Sequence, residues 1–105
     1  MLYRYEFVEG NTKTGLLVGL DDYFTTDEIL SVCWIFELKL NSPGINMKNT
    51  KSYFTDRGNR KFRKMIRKIR NIAKTKNLDV VCVKVSEEDL NNVVYKDQYQ
   101  VVIKI

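Results

Sequence analysis

The sequence predicts a small α+β domain, and three observations lead to this prediction. The chain has 105 residues, of which 44% are hydrophobic and 30% charged, a composition typical of a globular protein rather than a disordered one. Both ends alternate apolar and polar residues with the two-residue period of β-strands. Between them, apolar residues recur at helical spacing in two stretches. We therefore expect one domain over residues 1–105, with about five short, mostly antiparallel strands covered by two helices.

The amino end predicts a β-hairpin. Residues 2–8 alternate three aromatic side chains with other residues, which favours a strand with one aromatic face: Tyr3, Tyr5 and Phe7. A polar turn then runs from Gly10 to about Gly15, and the apolar residues 16–20 are interpreted as the second strand. We expect the aromatic face to fill the core beneath the helices. The alternative is an exposed face that stacks nucleic-acid bases.

The first helix is predicted over about residues 26–40. Thr25 and Glu28 have the spacing of a capping box, in which the hydroxyl and the carboxylate each bind a backbone N–H at the helix start. A single apolar stripe follows at helical spacing: Ile29, Val32, Cys33, Phe36 and Leu40. A proline–glycine pair beyond the stripe prevents further helix, and residues 41–51 are interpreted as a polar loop.

The second helix is predicted over about residues 56–76, after a short strand at residues 52–54. Thr55 has the chemistry of an N-cap, and Asn77 is a candidate C-cap. The remaining strands are predicted at residues 79–85 and in a terminal hairpin of residues 93–95 and 99–105, with one helical turn at residues 86–89. We expect the last strand, which ends at Ile105, to offer a sheet edge through which a homodimer could form.

Positive charge is concentrated in the second predicted helix. The chain carries 18 lysines and arginines against 13 aspartates and glutamates, and its formal net charge is +5. Ten of these cations lie within residues 57–76, where there is no acidic residue, so the other 85 residues carry a net charge of −5. The sequence is therefore that of a mildly acidic protein with one cationic helix.

A helical projection separates the apolar residues of this helix from its cations. Six apolar side chains fall within roughly 120° of arc, the width of a core-facing stripe: Phe62, Met65, Ile66, Ile69, Ile72 and Ala73. Five cations follow one edge of the exposed face: Arg60, Arg63, Arg67, Arg70 and Lys74. These five, together with Arg57 and Lys64, are the predicted binding residues for nucleic acid or an anionic partner.

Two interpretations of the cationic helix remain open. Neighbouring like charges repel by a few tenths of a kcal/mol per pair, so either acidic residues elsewhere in the fold or an external polyanion offsets the repulsion. Arginine favours the second interpretation slightly, because it binds phosphate through two parallel hydrogen bonds. If four to six phosphates of duplex DNA are contacted, log affinity should fall against log salt with a slope of about −4 to −5.

The sequence offers little for catalysis or metal binding. It has no histidine and two cysteines, which removes the commonest general base and any four-thiolate zinc site. Its glycines form neither a phosphate loop nor a dinucleotide fingerprint. Four acidic residues near the first helix match no calcium loop: Asp21, Asp22, Asp27 and Glu28. We expect a protein without catalytic residues, metal or cofactor.

Three segments of the chain resemble small uncharacterised proteins of phages and prophages: residues 1–7, residues 53–58 with Lys61 and Phe62, and residues 94–101. Proteins in that setting include anti-CRISPR proteins and other inhibitors of host defence. Their sequences differ from one another, so the resemblance implies no site residues. It implies a stoichiometric binder rather than an enzyme, with a defence nucleoprotein complex as its partner.

We expect this protein to act in the bacterial host cytoplasm. The first residues show no secretory signal, and no apolar run approaches the ~20 residues of a membrane span. The predicted function is a non-enzymatic, anti-CRISPR-like inhibitor of a nucleic-acid-guided complex. The alternative is a DNA- or RNA-binding regulator that acts alone, and the sequence leaves DNA, RNA and protein open as the contacted molecule.

Overall fold

The fold is α+β, as predicted. The computed structural model describes residues 1–39 and 49–105, with the backbone alone for Leu17 and for residues 33–39. The described strands are β1 (Leu2–Glu9), β2 (Thr12–Gly15), β3 (Thr50–Phe54), β4 (Asp79–Val85), β5 (Val93–Lys96) and β6 (Gln100–Lys104). The helices are α1 (Leu16–Tyr23), α2 (Thr26–Lys39), α3 (Asp56–Lys61) and α4 (Arg63–Thr75), with a 3₁₀ turn at Glu87–Asp89.

All described strand pairs are antiparallel and belong to one sheet, in which β1 pairs with β2, β3 and β4. Strand β4 pairs with β1 along its whole length. The other edge of β1 is shared by β2, which pairs with residues 6–9, and β3, which pairs at Tyr3. Strand β6 then lies between β3 and β5. The expectation that the last strand forms a sheet edge is therefore wrong, because β6 is paired on both sides.

The amino-terminal hairpin is tighter than predicted. Strand β2 begins directly after a two-residue turn at Gly10 and Asn11, and Gly10 adopts a φ of +58°, where glycine has no steric penalty. Residues 16–20, predicted as a strand, form α1 instead. A Cβ on Gly19 would lie 2.1 Å from the Phe7 ring, so the helix packs directly onto β1 at this glycine. Periodicity does not distinguish a strand from a helix in a short apolar run, and the packing of Gly19 on Phe7 is not visible in the local sequence.

Helix α2 begins as the sequence predicts. The Thr25 N–H donates to Glu28 Oε1 at 2.9 Å, and the Glu28 N–H donates to Thr25 Oγ1 at 3.2 Å, which is the capping box. Val32 of the predicted stripe is fully buried, and Ile29 packs against the same core. The side chains of Cys33 and Phe36, together with residues 40–48, lie outside the described residues. Thr50 and Lys51, predicted within the loop, begin β3.

The predicted basic helix is two helices rather than a single rod. Thr55 caps α3 by accepting a hydrogen bond from the Gly58 N–H at 3.0 Å. The helix breaks at Phe62, whose backbone (φ −98°, ψ 11°) leaves the helical region. Phe62 is almost fully buried, and its ring contacts Phe54 and Tyr99. Packing of this ring against the sheet thus coincides with the break.

The end of α4 and the final strands agree with the predictions. Asn77 has a φ of +59° just after the helix, and the following Leu78 N–H donates back to the Ala73 carbonyl at 3.0 Å. This is the arrangement of a helix that ends on a left-handed residue. The predicted strand at residues 79–85, the turn at residues 86–89 and the terminal hairpin are all present.

The two faces of the sheet differ in how they are covered. The main core lies between the sheet and the helices and includes the buried Tyr5 and Phe7, together with Phe62, Ile66 and Ile69. This confirms the core interpretation of the aromatic strand face for Tyr5 and Phe7. A smaller apolar cluster of Leu2, Tyr53, Val101 and Ile103 lies on the opposite face. Of the helices described, none is long and apolar enough to cross a membrane.

Candidate functional site

The seven predicted binding residues are all exposed. Within residues 1–39 and 49–105, and excluding the undescribed side chains, none of the seven has a carboxylate within 4.0 Å. Among the described ion pairs, the one that involves a cation of residues 57–76 joins Lys76 to Glu28, with Nζ 2.8 Å from Oε1. Carboxylates of the described chain therefore leave the arginines of α3 and α4 unneutralised.

One flank of α4 is attached to the rest of the helical layer. Lys68 Nζ donates to the Ser31 carbonyl of α2 at 3.3 Å. Lys76, just beyond α4, lies over the Phe24 ring at 5.8 Å and binds Glu28. The hydrogen bond from Lys76 contributes most to holding the pKa of Glu28 below its usual value. Two lysines are thus used to join α4 to α2 and the end of α1.

The other flank of α4 lies beside β4, and here three arginines border a groove. Its volume is about 300 Å³, and it is lined by Arg63, Arg67 and Arg70 together with Tyr5, Ile66 and Cys82. Tyr5 and Ile66 are buried, whereas Cys82 is half-buried. The groove therefore combines an apolar floor with a cationic rim. We call it the arginine groove.

The floor of the arginine groove is formed by the pairing of β1 with β4. Tyr5 and Cys82 are directly opposite each other in the register of these strands, so their side chains lie on the same face of the sheet. That face is the one covered by α4. Sequence reasoning found the three arginines and considered Tyr5 for base stacking only as part of an exposed aromatic face. It missed Cys82 and the position of Tyr5 beside the arginines, because a single sequence does not show which strands pair.

Tyr5 is held in a fixed position beneath the arginines. Its hydroxyl donates to Asn59 Oδ1 in α3, and the guanidinium carbon of Arg70 lies 5.5 Å from its ring centroid, within the range of a cation–π contact. Burial raises the pKa of Tyr5 to about 12, with a further contribution from the neighbouring Cys82. The phenol therefore stays neutral at physiological pH.

The cations of α4 form a row rather than a scattered set. Ideal helical geometry places Arg63, Arg67, Arg70 and Lys74 within about 60° of one another, over a length of about 16 Å. Over that length, one strand of B-form DNA carries about five phosphates. Arg57 and Arg60 belong to α3, beyond the break at Phe62. The structure thus divides the predicted binding residues between two helices and brings three arginines into one groove.

Other candidate chemistry finds no support in the described residues. Glu28, one of the four acidic residues compared with a calcium loop, is engaged by Thr25 and Lys76. The Gly58 N–H at the start of α3, a position where helices can bind anions, already donates to Thr55 Oγ1. No group of three or more acidic or cysteine residues converges in the part of the chain that the structure describes. The arginine groove is therefore the site on which we base the functional argument.

Comparison with known proteins assigns no relative to this chain: no family model matches it, and no curated protein or solved structure does so either. The functional conclusion consequently depends on the charge, geometry and chemistry of the arginine groove and of the row of cations above it.

Proposed function

We propose that this chain is a non-enzymatic binding protein whose cationic row contacts the phosphate backbone of nucleic acid. The observation that carries the proposal is that Arg63, Arg67 and Arg70 share one flank of α4 with no carboxylate within 4.0 Å among the described side chains. Each guanidinium group can bind a phosphate through two parallel hydrogen bonds, and the counterions around that phosphate are released.

The distribution of charge supports a defined contact with a polyanion rather than basic residues that serve only solubility. Outside residues 57–76 the chain carries a net charge of −5, so most of the molecule repels a polyanion. Contact is therefore directed to the helices that carry the arginines. A protein that used basic residues only for solubility would not require them on one flank, beside a groove.

The biological setting that we propose is a host nucleic-acid-guided defence complex, which the protein would inhibit in the bacterial cytoplasm. This part of the proposal rests on the resemblance of three segments to phage and prophage proteins. The cationic row would contact the guide or target nucleic acid of that complex, or an acidic surface of the effector. The alternative proposal is a regulator that binds free DNA or RNA through the same arginines.

Charge reversal on the cationic row tests the contact. We expect the double variant Arg63→Glu/Arg67→Glu to weaken binding to a fluorescently labelled oligonucleotide by at least about tenfold, because two phosphate contacts are lost and two repulsive charges are gained. The matched control is Lys13→Glu/Lys104→Glu, which changes the net charge equally. Lys13 lies on β2 and Lys104 lies on β6, two strands away from β1.

Anisotropy titrations at constant salt measure both variants against the native chain. The control should change affinity by no more than about threefold, since it acts only through the overall field. Equal losses in the two variants would show that net charge alone matters, which would contradict a defined contact surface. Arg70 is kept in both variants because it also contacts the Tyr5 ring.

A second experiment distinguishes the two settings. The native chain is mixed with purified CRISPR effectors of several types, and both co-purification and target cleavage are measured before and after nuclease treatment. Inhibition with a stable complex supports the defence-inhibitor proposal. Binding to free oligonucleotides with neither association nor inhibition across the effector types would overturn that proposal and support the regulator.

A further inference from the structure

We propose that the arginine groove binds single-stranded nucleic acid, with one unstacked base on its floor and the flanking phosphates on the cationic row. The inference rests on the proposed function and adds the class of nucleic acid. Single-strand binding sites typically combine a positively charged track with side chains against which bases pack. Both parts are present here within one groove.

The floor has the chemistry that a base requires. Tyr5 and Ile66 present buried apolar atoms, and the half-buried Cys82 adds a small polarisable side chain between them. A double helix keeps its bases stacked and presents phosphates to such a surface, so the floor would remain empty. An unstacked base can instead enter the groove and cover the half-buried Cys82, together with the small parts of Tyr5 and Ile66 that line the groove.

The rim has the geometry that the two phosphates next to such a base require. Arg63 and Arg67 are separated by about one helical turn, or about 6 Å along the axis, and both border the groove. Arg70 is held over the Tyr5 ring at 5.5 Å, so its guanidinium is positioned above the floor. Guanidinium planes stack on bases as well as binding phosphates, so this arginine can serve either role.

The groove is accessible from the side of β4. Among the described strands, β4 pairs with β1 alone, so no described strand closes that side. On the face of the sheet that α4 covers, Val80 and Cys82 of β4 are only half-buried. An extended chain can therefore lie beside β4 with its phosphates directed to α4.

Alkylation of Cys82 tests the inference on the native chain. N-ethylmaleimide modification is followed over time, and peptide mass spectrometry separates Cys82 from Cys33. The protein is studied alone, with a single-stranded oligonucleotide and with a duplex, each at about ten times its measured dissociation constant. We expect the single strand to slow alkylation of Cys82 by about tenfold, which is the reduction in free protein at that occupancy. The duplex should leave the rate nearly unchanged.

The outcomes separate the inference from the proposed function. Binding of both nucleic acids without selective protection of Cys82 by the single strand would overturn the inference and leave the proposed function standing. Failure of both nucleic acids to bind would overturn the inference and the proposed function together.

A variant gives an independent measurement. Cys82→Leu fills the groove with a branched side chain that offers no ring for stacking, and it should reduce single-strand affinity by about tenfold, the effect of losing one base contact, while duplex affinity changes little. Equal effects on the two affinities would contradict the proposal. A circular dichroism spectrum that matches the native one establishes that the variant is folded.

Discussion

At Gly58, α3 lies directly against the backbone of Tyr99. A Cβ at this position would lie 2.1 Å from the backbone carbonyl oxygen of Tyr99, and neither backbone can move without disturbing the pairing of β6 with β3. The same glycine donates its N–H to Thr55. The position therefore fixes how the basic segment is placed on the sheet.

We expect Gly58→Ala to lower the free energy of unfolding by about 1–3 kcal/mol, the usual cost of forced overpacking. The control is Gly15→Ala, whose new Cβ would meet Arg4 Nη2 at 2.7 Å. Arg4 also binds Glu6 and the Ser52 carbonyl, so we expect some loss in the control. It should be smaller than that of Gly58→Ala, because the end of a side chain rather than a backbone carbonyl has to shift. Urea denaturation of both variants measures the difference, and similar values for the two would contradict the close approach described above.

Ionisation of Tyr5 lowers the free energy of unfolding at alkaline pH. Burial raises its pKa from 10.0 to about 12, so folding favours the protonated phenol. This stabilisation is fully present below pH 10, the unfolded value, and is lost as the pH rises towards 12. A shift of that size corresponds to at most about 2–3 kcal/mol, and screening by solvent reduces the contribution to stability.

The variant Tyr5→Phe isolates this effect from the titration of other tyrosines. The native chain should lose about 1–2 kcal/mol relative to the variant as the pH rises from 9 to 12, after allowance for solvent screening. Denaturation at several pH values measures the free energy of unfolding of both proteins. A difference between the two proteins that stays constant with pH would show that Tyr5 ionises as easily in the folded state as in the unfolded one.

At the scale of elements, the start of α2 depends on a local hydrogen-bond exchange. Thr25→Ala removes the hydroxyl that accepts the Glu28 N–H, and we expect a loss of about 0.5–2 kcal/mol. Thr26→Ala is the matched control, because Thr26 is the exposed next residue and should change stability by less than about 0.5 kcal/mol. Thermal unfolding followed by circular dichroism compares the two, and equal effects would show that the cap is not what stabilises this helix end.

Elements that depend on neighbouring residues could be predicted from the sequence. The capping box of Thr25 and Glu28, the cap at Thr55 and the left-handed Asn77 are all local, and each is present. Helix α1 could not be predicted, because a short apolar run is compatible with either a buried strand or a helix. The break at Phe62 coincides with contacts between its ring and distant aromatic residues.

The candidate site likewise has one part that could be predicted from the sequence and one part that could not. The cations of α4 could be assigned to one edge from helical spacing, and the structure places three of them on one groove. The floor could not be predicted, because it depends on the register that brings Tyr5 opposite Cys82. Periodicity identifies the face of an element, whereas the partner of that face depends on long-range pairing.

At the scale of the whole molecule, charge is separated. Lys68 and Lys76 attach one flank of α4 to its neighbours, while Arg63, Arg67 and Arg70 border the groove on the other. The remainder of the chain carries a net charge of −5. Such a distribution orients an approaching polyanion towards the arginines.

The salt dependence of nucleic-acid binding tests the central claim most directly. If the four cations of the row each contact one phosphate, log affinity against log salt should have a slope of about −2.8 on a single strand and −3.6 on a duplex. Arg67→Gln should reduce the magnitude of the slope by about 0.7–0.9, since one contact is removed. Anisotropy titrations over a range of salt concentrations measure these slopes. A slope near zero, or one unchanged in Arg67→Gln, would contradict phosphate binding by the cationic row.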